Sequence, residues 1–289
     1  MKKILITGAT SYIGTSFQNW IEKYPDQYSV KSITVRDNSW KEEDFSQYDV
    51  IMHVAAVVHV NTKNFSDEQE RDYYSVNRDL PIQIAKTAKK AGVAQFIFMS
   101  SMSVYDSNRV NKPINMEETP KPCGLYGKSK LQAEEGLKLL ESDCFKIAIL
   151  RPPMVYGKNS PGNYFKLSAL AKKLIIFPNV KNKRSMLYID NLCYFIKIMI
   201  DNNERGVFFP QNREYVQTSE MVKLVAKSHD RNIIMITIFN PLIYFLIPRI
   251  NLLDKVFGSL TYEKSMSTYK EDYQIINFEQ SIVHTENLT

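Results

Sequence analysis

The sequence is poor in cysteine and carries no dense block of charge, and both absences narrow the classes that it fits. Its three cysteines (Cys123, Cys144 and Cys193) are odd in number and far apart. They form neither a disulfide framework nor a metal-binding pattern, so we expect a reducing cytoplasm and no metal. The net charge is +6 and the lysines are scattered, which disfavours nucleic acid as a partner and suits an anionic small molecule.

Long uninterrupted apolar runs are missing as well. The run at 4–6 is too short for a signal peptide and is interrupted by Gly8. A second run, at 233–250, is interrupted by Pro241 and Pro248, and it falls short of the ~20 residues that a membrane-spanning helix needs. We expect a buried strand followed by a core helix there. The alternative is a helix that touches a membrane surface or a partner.

What the sequence does contain is a regular alternation of short apolar runs and helix-like segments. It predicts strands at 3–7, 30–35, 49–56, 95–101 and 145–150, with helices from the glycine turn to residue 24, at 68–92 and at 126–140. This alternation predicts an α/β fold with a Rossmann-type, doubly wound parallel sheet and right-handed crossovers. Beyond Gly157 the alternation breaks down, and we expect a smaller α/β domain interleaved with the first.

The first predicted strand runs into a glycine turn, Thr-Gly-Ala-Thr-Ser-Tyr-Ile-Gly, that opens a helix. Gly8 and Gly14 would let backbone N–H groups approach a pyrophosphate, although Ser11 replaces the usual middle glycine and an ordinary turn stays the alternative. After the second strand, Arg36 would accept the 2′-phosphate of NADP, whereas Asp37 would bind the ribose of NAD if that strand ends one residue later. We favour NADP(H) and keep NAD(H) as the alternative.

Tyr126 and Lys130 are four residues apart in a predicted helix, so their side chains share one face. The lysine charge is expected to lower the phenol pKa, which would let Tyr126 exchange a proton with a sugar hydroxyl while a cofactor exchanges hydride. Ser101, at the end of a predicted buried strand, would hold the same oxygen. A Tyr-x-x-x-Lys pair alone also fits an exposed helix face. His53 is expected in the core, and His59 could contact substrate.

Seven motifs follow one another along the chain: Thr-Gly-x-x-x-x-x-Gly (7–14), His-Val-Ala-Ala (53–56), Val-Asn (76–77), Ser-Ser-x-x-Val-Tyr (100–105), Tyr-Gly-x-Ser-Lys (126–130), Arg-Pro-x-x-x-Tyr-Gly (151–157) and Arg-Ser-x-x-Tyr-x-Asp-Asn-Leu (184–192). Together they resemble the extended short-chain dehydrogenase/reductase family of nucleotide-sugar epimerases, dehydratases and reductases. The resemblance covers essentially the whole chain. It implies a dinucleotide-binding domain at 1–157, to which 184–205 return, and a mainly substrate-binding domain at 158–289.

The resemblance also implies roles by position. It makes Tyr126 the general acid/base, Lys130 its partner and the anchor of the nicotinamide ribose, and Ser101 the ligand of the substrate oxygen. The implied cofactor-binding residues are Gly8, Ser11, Tyr12, Ile13, Gly14, Arg36, Ala55, Ala56, Asn77, Ser100, Tyr126, Lys130 and Pro153. The implied substrate-binding residues are Ser101, Met102, Tyr126, Met154, Asn163 and Arg184, with Arg184 on the phosphates. A homodimer through the helix at 126–140 is expected by the same analogy.

Two departures from the family pattern narrow the reaction. The 4,6-dehydratases carry an Asp-Glu pair after the catalytic hydroxyl residue, and the reductases that make fucose nucleotides carry a cysteine there. This chain has Met102 and Ser103 at those positions, so it resembles neither group. Reduction of a 4-keto sugar or 4-epimerisation remains, because both need only the serine, the tyrosine, the lysine and the cofactor.

The closest resemblance is to capsule-cluster reductases of UDP-2-acetamido-2,6-dideoxy-hexos-4-ulose. It is carried by Val-Arg-x-x-x-Trp (35–40), Arg-Pro-Pro-Met-Val-Tyr-Gly (151–157) and Phe-Gly-x-Leu-x-Tyr (257–262). We therefore expect an NADPH-dependent reductase of a UDP-sugar in capsule or other surface polysaccharide precursor synthesis. A UDP-hexose 4-epimerase (on UDP-glucose or UDP-N-acetylglucosamine) with retained NAD is the alternative. A catalytically idle sensor or scaffold is a third, which the intact Ser101, Tyr126 and Lys130 disfavour.

Overall fold

The computed structural model describes residues 1–58, 66–105 and 112–286. His59, named above as a substrate contact, lies outside these residues. The chain divides into two compact units. The first unit comprises Met1–Asp106, Thr119–Pro152 and Cys193–Pro210, and the second comprises Ser107–Glu118, Pro153–Leu192 and Gln211–Thr289. The first unit is therefore formed by three chain segments, and the second of them ends inside the Arg-Pro-Pro motif.

Ten strands and ten α-helices make up the described structure. The strands are β1 (Lys2–Thr7), β2 (Tyr28–Ile33), β3 (Val50–His53), β4 (Gln95–Met99), β5 (Lys146–Leu150), β6 (Met154–Tyr156), β7 (Ile176–Pro178), β8 (Met186–Tyr188), β9 (Gly206–Phe208) and β10 (Ile234–Ile236). The helices are α1 (Tyr12–Ile21), α2 (Asp67–Tyr74), α3 (Leu80–Lys90), α4 (Leu125–Lys138), α5 (Asn163–Ala171), α6 (Ile189–Asp201), α7 (Thr218–Lys227), α8 (Asn240–Leu246), α9 (Asn251–Phe257) and α10 (Phe278–Glu286). A short 3-10 helix covers Met102–Val104.

The first unit is built on a six-stranded sheet in the order β2-β1-β3-β4-β5-β9, with every neighbouring pair parallel. Strands β3 and β4 are buried along their whole length, as expected for central strands of a parallel sheet covered on both faces. Leu5, Ile51 and Phe96 from the strands pack in one core with Ile84 of α3 and Leu137 of α4. The predicted doubly wound α/β fold is confirmed.

The strand order reverses beside β1, because β2 lies on one side of it and β3 on the other. In open parallel sheets such a reversal leaves a crevice at the carboxyl ends of the strands, where ligands bind. The glycine turn follows β1, Ala55 follows β3 and Ser100 follows β4. The topology therefore brings the predicted cofactor residues to one edge of the sheet.

Several element boundaries in the first unit differ from the sequence-based prediction; β4, for example, ends at Met99 and α1 at Ile21. Strand β2 ends at Ile33, two residues early, because its partner β1 ends opposite it at Thr7, before the glycine turn. Strand β3 ends at His53, which leaves 54–56 in a loop. The helix predicted at 68–92 is formed by α2 and α3, joined by a five-residue π-helix at Ser75–Asp79. Two of these differences lie in the candidate site.

The second unit is held together by short elements and long-range polar contacts. Two small parallel sheets, β6–β8 and β7–β10, accompany helices α5 and α10, which both pack on α7. The buried Tyr156 hydroxyl forms a hydrogen bond with Ser281 Oγ (2.6 Å) and accepts another from Asn212 Nδ2 (2.9 Å). These partners are far apart in the chain, so a reading of local apolar periods does not reveal this unit.

The prediction of a buried strand and a core helix at 233–250 is wrong in its burial. Strand β10 is three residues long and its Ile234 is 59% exposed, and each residue of α8 is at least partly exposed. Pro241 lies in the first turn of α8 and Pro248 soon follows its end, so the helix has about two turns and offers no long face to a core. Over the described ranges, the structure contains no helix of the length and apolarity needed to span a membrane.

Candidate active site

The glycine turn after β1 brings the backbones of two strands and a helix unusually close. Gly8 has a φ of +122°, and a Cβ there would lie 2.8 Å from the backbone nitrogen of Ala55. A Cβ on Gly14 would lie 3.0 Å from Val54 Cγ2. The Gly8 position therefore requires glycine, whereas a side chain at Gly14 would require Val54 to shift. Ser11 has a φ of −70°, which any residue adopts, so the replacement of the middle glycine leaves the turn intact.

Helix α1 begins at this turn with Tyr12, directly after Ser11. Its first turn contains no acidic residue, and within the described structure the Ser11 side chain makes no capping hydrogen bond. The first N–H groups of a helix lack acceptors within the helix, so those of Tyr12, Ile13 and Gly14 lie at a positive helix end. Such an end suits a diphosphate.

Asn77 fixes the loop that faces the glycine turn. Its buried amide donates from Nδ2 to the carbonyl oxygen of Val57 (2.9 Å), and its Oδ1 accepts from the Val57 N–H (2.9 Å). Asn77 lies in the π-helix between α2 and α3, a feature that often occurs at functional sites. The loop that carries Ala55 and Ala56 is thereby held in place, and Asn77 acts on it through the backbone.

Arg36 and Asp37, the two candidates for cofactor selection, have different partners. Arg36 is exposed, and its Nη2 donates to Thr10 Oγ1 in the glycine turn (3.2 Å). Asp37 accepts from the backbone N–H of Ser39 (3.0 Å) and from its hydroxyl, and these bonds lower the pKa of the Asp37 carboxyl. The structure therefore places the guanidinium beside the glycine turn, while the carboxylate serves a local turn.

The three predicted catalytic residues meet in the first unit. Ser101 begins the short 3-10 helix and its Oγ accepts from the Ser103 N–H (3.1 Å). The Ser101 hydroxyl is close enough to the Tyr126 phenol to lower the pKa of that phenol. Lys130 is one turn along α4, with its Nζ 5.9 Å from the centroid of the Tyr126 ring. The Lys130 ammonium donates to the carbonyl oxygen of Met99 at 2.8 Å, which ties α4 to the end of β4.

Gly127 allows α4 to approach the serine segment this closely. A Cβ at this position would lie 2.0 Å from the carbonyl oxygen of Ser103 and 2.7 Å from Pro122 Cβ. The glycine of the Tyr-Gly-x-Ser-Lys motif is therefore a packing requirement, and it brings Tyr126 to Ser101. Ser129 donates to the Tyr126 carbonyl oxygen at 2.9 Å, a bond within the same turn of helix.

The protonation of the pair differs from the sequence-based expectation of a lowered phenol pKa. Burial raises the pKa of Tyr126, and the nearby Ser101 hydroxyl opposes this rise. Burial also lowers the pKa of Lys130 to about 7, with the Glu134 carboxylate acting in the opposite direction. The surrounding protein therefore keeps the Tyr126 phenol protonated at neutral pH, and Lys130 is a weaker cation than expected.

A buried ion pair supports the site and was not predicted from the sequence. Arg151 Nε donates to Glu134 Oε1 (3.0 Å), and Arg151 Nη1 donates to the Tyr105 hydroxyl (2.7 Å). Ser100 also donates to Glu134 Oε1, so its hydroxyl is directed into this network. Glu134 lies four residues after Lys130 on α4. This four-residue spacing could have indicated the role of Glu134, because it places Glu134 on the helix face that Tyr126 and Lys130 share.

His53 is a core residue, in agreement with the sequence-based expectation. Its Nδ1 lies 2.8 Å from Thr7 Oγ1, and its ring stacks on Phe96 and Phe98 with centroids 6.3 and 6.1 Å away. Burial, and then the charge of Lys130, lower the pKa of His53 to about 3. The imidazole therefore stays neutral and serves no acid–base step at ordinary pH.

The model of the NAD dependent epimerase/dehydratase family matches residues 4–215 of the sequence. The chain belongs to this family. A UDP-glucose 4-epimerase of Vibrio cholerae is 33% identical over 258 residues, which span 80% of this chain and 76% of that protein. These similarities support a nucleotide-sugar epimerase- or reductase-type activity and a nicotinamide cofactor for this enzyme.

Two solved structures show the same fold. A UDP-glucuronic acid 4-epimerase from Bacillus cereus, solved with NAD, has a TM-score of 0.74 and 17% identity, and the match covers 98% of this chain and 97% of that one. A dTDP-4-dehydrorhamnose reductase from Bacillus anthracis, solved with NADP, has a TM-score of 0.65 and 21% identity over 83% of this chain and 86% of that one. At these identities the structures establish the fold alone.

The first unit of this family member fits a nicotinamide dinucleotide. The positive φ of Gly8, with Ala55 so close that a Cβ would collide, leaves bare backbone at the sheet edge. The adjacent N-terminus of α1 suits the pyrophosphate. Among the described residues, the structure shows no group of three or more His, Cys, Asp or Glu that could hold a metal ion.

The remaining residues that the resemblance implied are divided between the two units. Met102 is buried in the first unit, and its N–H donates to the Pro152 carbonyl oxygen at 2.9 Å. Pro153 and Met154 begin the second segment of the second unit, in which Asn163 is the exposed first residue of α5. Arg184 Nη1 donates to the Gly258 carbonyl oxygen (2.9 Å), and burial lowers the pKa of Arg184.

Proposed function

We propose that this enzyme reduces the C4 keto group of a UDP-2-acetamido-2,6-dideoxy-hexos-4-ulose with NADPH as the hydride donor. The observation that carries the proposal is that Gly127 lets α4 pack against the Ser101–Ser103 segment, which brings the Tyr126 phenol to Ser101 with Lys130 one turn away. Reduction of a ketone needs a proton donor for the oxygen, and a phenol that keeps its proton at neutral pH is in the required form. A role in surface polysaccharide precursor synthesis is part of the same proposal.

Each residue of the pair has a separate task in this reaction. Bound NADPH supplies a hydride to C4. Ser101 holds the keto oxygen, and Tyr126 donates its phenol proton to that oxygen as negative charge develops on it. Lys130, whose pKa of about 7 leaves it partly charged, stabilises the phenolate until solvent returns the proton. Binding of the UDP portion by Arg184 and Asn163 is part of the same proposal.

The residues after Ser101 disfavour a dehydratase reaction. Elimination of water from the sugar needs an acid and a base beside the ring. Met102 and Ser103 occupy the two positions after Ser101. The nearest carboxylate on the catalytic helix face, Glu134, is already bound by Arg151 and Ser100. This arrangement supports hydride transfer without elimination.

Arg36 supports NADPH over NADH. Its guanidinium lies against Thr10 in the glycine turn, where a 2′-phosphate on the adenosine ribose would find a cationic partner. Asp37, the competing ribose ligand, is occupied by Ser39. A reductase must exchange its cofactor at each turnover, so a preference for NADPH and an initially empty enzyme belong together in this proposal.

A UDP-hexose 4-epimerase with retained NAD is the second candidate. The relative with 33% identity is a UDP-glucose 4-epimerase. Ser101, Tyr126 and Lys130 would also suffice for the removal and return of hydride in such a reaction. The two candidates differ in one respect that can be measured. An epimerase keeps its cofactor through many turnovers, whereas a reductase consumes one NADPH for each product.

The test is to release and identify any cofactor from the purified enzyme, and then to titrate it with NADPH and NADH. The reductase proposal predicts an enzyme free of tightly held NAD that prefers NADPH and consumes it with the 4-keto UDP-sugar. Arg36→Ser should reduce the preference for NADPH about tenfold or more. Stoichiometric bound NAD, with epimerisation of UDP-glucose or UDP-N-acetylglucosamine and no added cofactor, would establish the second candidate instead.

A further inference from the structure

The second unit exposes a group of large apolar side chains that a folded enzyme usually buries. Ile176, Ile234, Ile238, Leu242 and Phe245 are each at least half exposed, and Ile238 reaches 78%. We call these five residues the apolar face. Of the 18 large hydrophobic residues that are exposed in the described structure, 12 lie at 165–176 or 234–252. Such clustering marks an interaction surface, whereas scattered exposed hydrophobics are ordinary.

The segments that carry the apolar face are tied together by hydrogen bonds. Strands β7 and β10 pair in parallel with Ile234 opposite Ile176, so these side chains lie side by side. Asn240 Nδ2 donates to the Asn179 carbonyl oxygen (2.9 Å), and the Lys181 N–H donates to the Tyr244 hydroxyl (3.1 Å). Helix α8 is thereby fastened to the end of β7.

The exposed apolar side chains of α8 lie on more than one side of this short helix. Leu242 and Phe245 are three residues apart and share one side, and Tyr244 is 45% exposed as well. Ile238 lies in the turn before α8, and Arg249 lies in the turn after it. The Arg249 guanidinium is 3.9 Å from the centroid of the Phe245 ring, so a cation borders the apolar side chains of the helix.

The two segments that carry the apolar face have side-chain charge of one sign, although Asp230 and Asp254 flank the second segment. The segments 163–184 and 231–253 contain no aspartate or glutamate. Seven of their cationic side chains are exposed: Lys166, Lys172, Lys173, Lys181, Lys183, Arg231 and Arg249. Lys172 forms an ion pair with Glu286 of α10 (2.9 Å), which reduces the contribution of Lys172 to the local positive potential. The rest of the chain holds all 31 acidic residues, so this positive charge is local.

We propose that the apolar face docks on the surface of an anionic phospholipid membrane. Exposed aliphatic and aromatic side chains that are bordered by lysine and arginine suit the boundary between acyl chains and anionic headgroups. With only seven residues, α8 can lie in that boundary but cannot cross the bilayer. The membrane supplies both the apolar medium and the negative charge that the face itself lacks.

A second copy of the chain is a poorer occupant for the same face. A symmetric contact places the same surface against itself. Seven exposed cations on each copy would then meet without any acidic residue from either segment, which opposes association through like-charge repulsion. The absence of acidic residues therefore favours an anionic lipid surface over self-association.

The proposal is tested by co-sedimentation of the full chain with vesicles. Vesicles of phosphatidylcholine alone are compared with vesicles of phosphatidylcholine and phosphatidylglycerol. The anionic vesicles should bind most of the protein, the neutral ones little, and high salt should release it. Leu242→Asn/Phe245→Asn and Lys173→Glu/Arg231→Glu should each lower the bound fraction several-fold. These positions lie outside the proposed catalytic machinery, so turnover of a water-soluble substrate should not change.

Leu139→Asn is the matched control, because Leu139 is 86% exposed in the first unit and lies outside the apolar face. It should bind vesicles like the unchanged protein. Equal binding to neutral and anionic vesicles, or an equal loss in the control, would overturn the proposal. A lipid-free dimer that Leu242→Asn/Phe245→Asn converts to a monomer would also overturn it and assign the face to a second copy. None of these outcomes depends on whether the enzyme is a reductase or an epimerase.

Discussion

Helices α4 and α8 depart from the usual burial pattern in opposite directions. In α4, the polar side chains of Lys130 and Glu134 are buried in the first unit. In α8, the apolar side chains of Leu242 and Phe245 are exposed on the second unit. Each departure costs free energy that the fold does not recover by itself. The first is explained by chemistry within the protein, and the second by a proposed surface outside it.

The largest effect on stability is expected at the buried end of the α4 polar row. Glu134→Gln removes the carboxylate that faces Arg151 and leaves a buried guanidinium without its counter-ion. We expect a loss of about 3–5 kcal/mol in the free energy of unfolding, measured by urea denaturation. Glu135→Gln, exposed on the next residue of the same helix, should change stability little. Equal losses of stability at the two positions would show that the Glu134–Arg151 ion pair does not make the expected contribution to the free energy of unfolding.

Lys130 predicts a pH dependence with a definite sign. Its pKa falls from 10.5 to about 7 in the folded protein, so between these values the unfolded chain binds more protons and stability rises with pH. Below about pH 7 the folded protein bears the full cost of burying a charged Lys130, and Lys130→Met removes that cost. Its advantage over the unchanged protein should therefore shrink, by on the order of a few kcal/mol, as pH rises towards 10.5.

Denaturation series across that pH window measure the effect, and Lys128→Met on the exposed side of α4 is the control. The control should keep a constant difference from the unchanged protein. A constant difference for Lys130→Met as well would show that Lys130 is not desolvated in the way the structure indicates.

A substitution at Gly127 should show how much the close packing of α4 contributes to stability, separately from the buried charges on the same helix. Gly127→Ser places a Cβ against the Ser103 carbonyl oxygen, and we expect a loss of about 1–3 kcal/mol through overpacking. Gly124→Ser is the matched substitution, because a Cβ at Gly124 meets no atom within 4 Å in the described structure. Thermal unfolding of the two variants compares them directly. A loss at Gly124 as large as that at Gly127 would contradict the close approach of α4 to the serine segment.

The smallest effect is expected in α8. Leu242→Ala removes an exposed side chain and should change the free energy of unfolding by at most about 0.5 kcal/mol. Leu137→Ala, at a fully buried position of α4, should cost about 2–5 kcal/mol. Chemical denaturation of the two variants provides the contrast. A large loss at Leu242 in the lipid-free protein would mean that α8 is covered in solution.

The sequence was sufficient for those parts of the site that depend on local spacing. Tyr126 and Lys130 were found from their four-residue separation, and the glycine turn from its place between an apolar run and a helix. Strand β4 was found because its buried residues form one continuous apolar run. In each of these cases the relevant neighbours are close in the chain, so the pattern and the structure carry the same information.

The parts that the sequence could not supply depend on distant neighbours. The Arg151–Glu134 pair joins the residue after β5 to α4, and Ser100 reaches Glu134 across 34 residues. The raised pKa of Tyr126 follows from burial, which the Tyr-x-x-x-Lys spacing does not encode. The exposure of α8 was not predicted, because an apolar run without helical or strand periodicity does not show which side of the segment packs against a core, or whether any side does.

The central claim is that Tyr126 protonates a keto oxygen while C4 receives hydride from NADPH. The most direct test is to supply NADPH deuterated at its transferable position and to analyse the sugar product by NMR. The account predicts one deuterium at C4 for each NADPH consumed, and a loss of about 10²–10⁴-fold in that rate for Tyr126→Phe. A product without deuterium, formed while NADPH is unchanged, would contradict the account and indicate epimerisation with retained NAD.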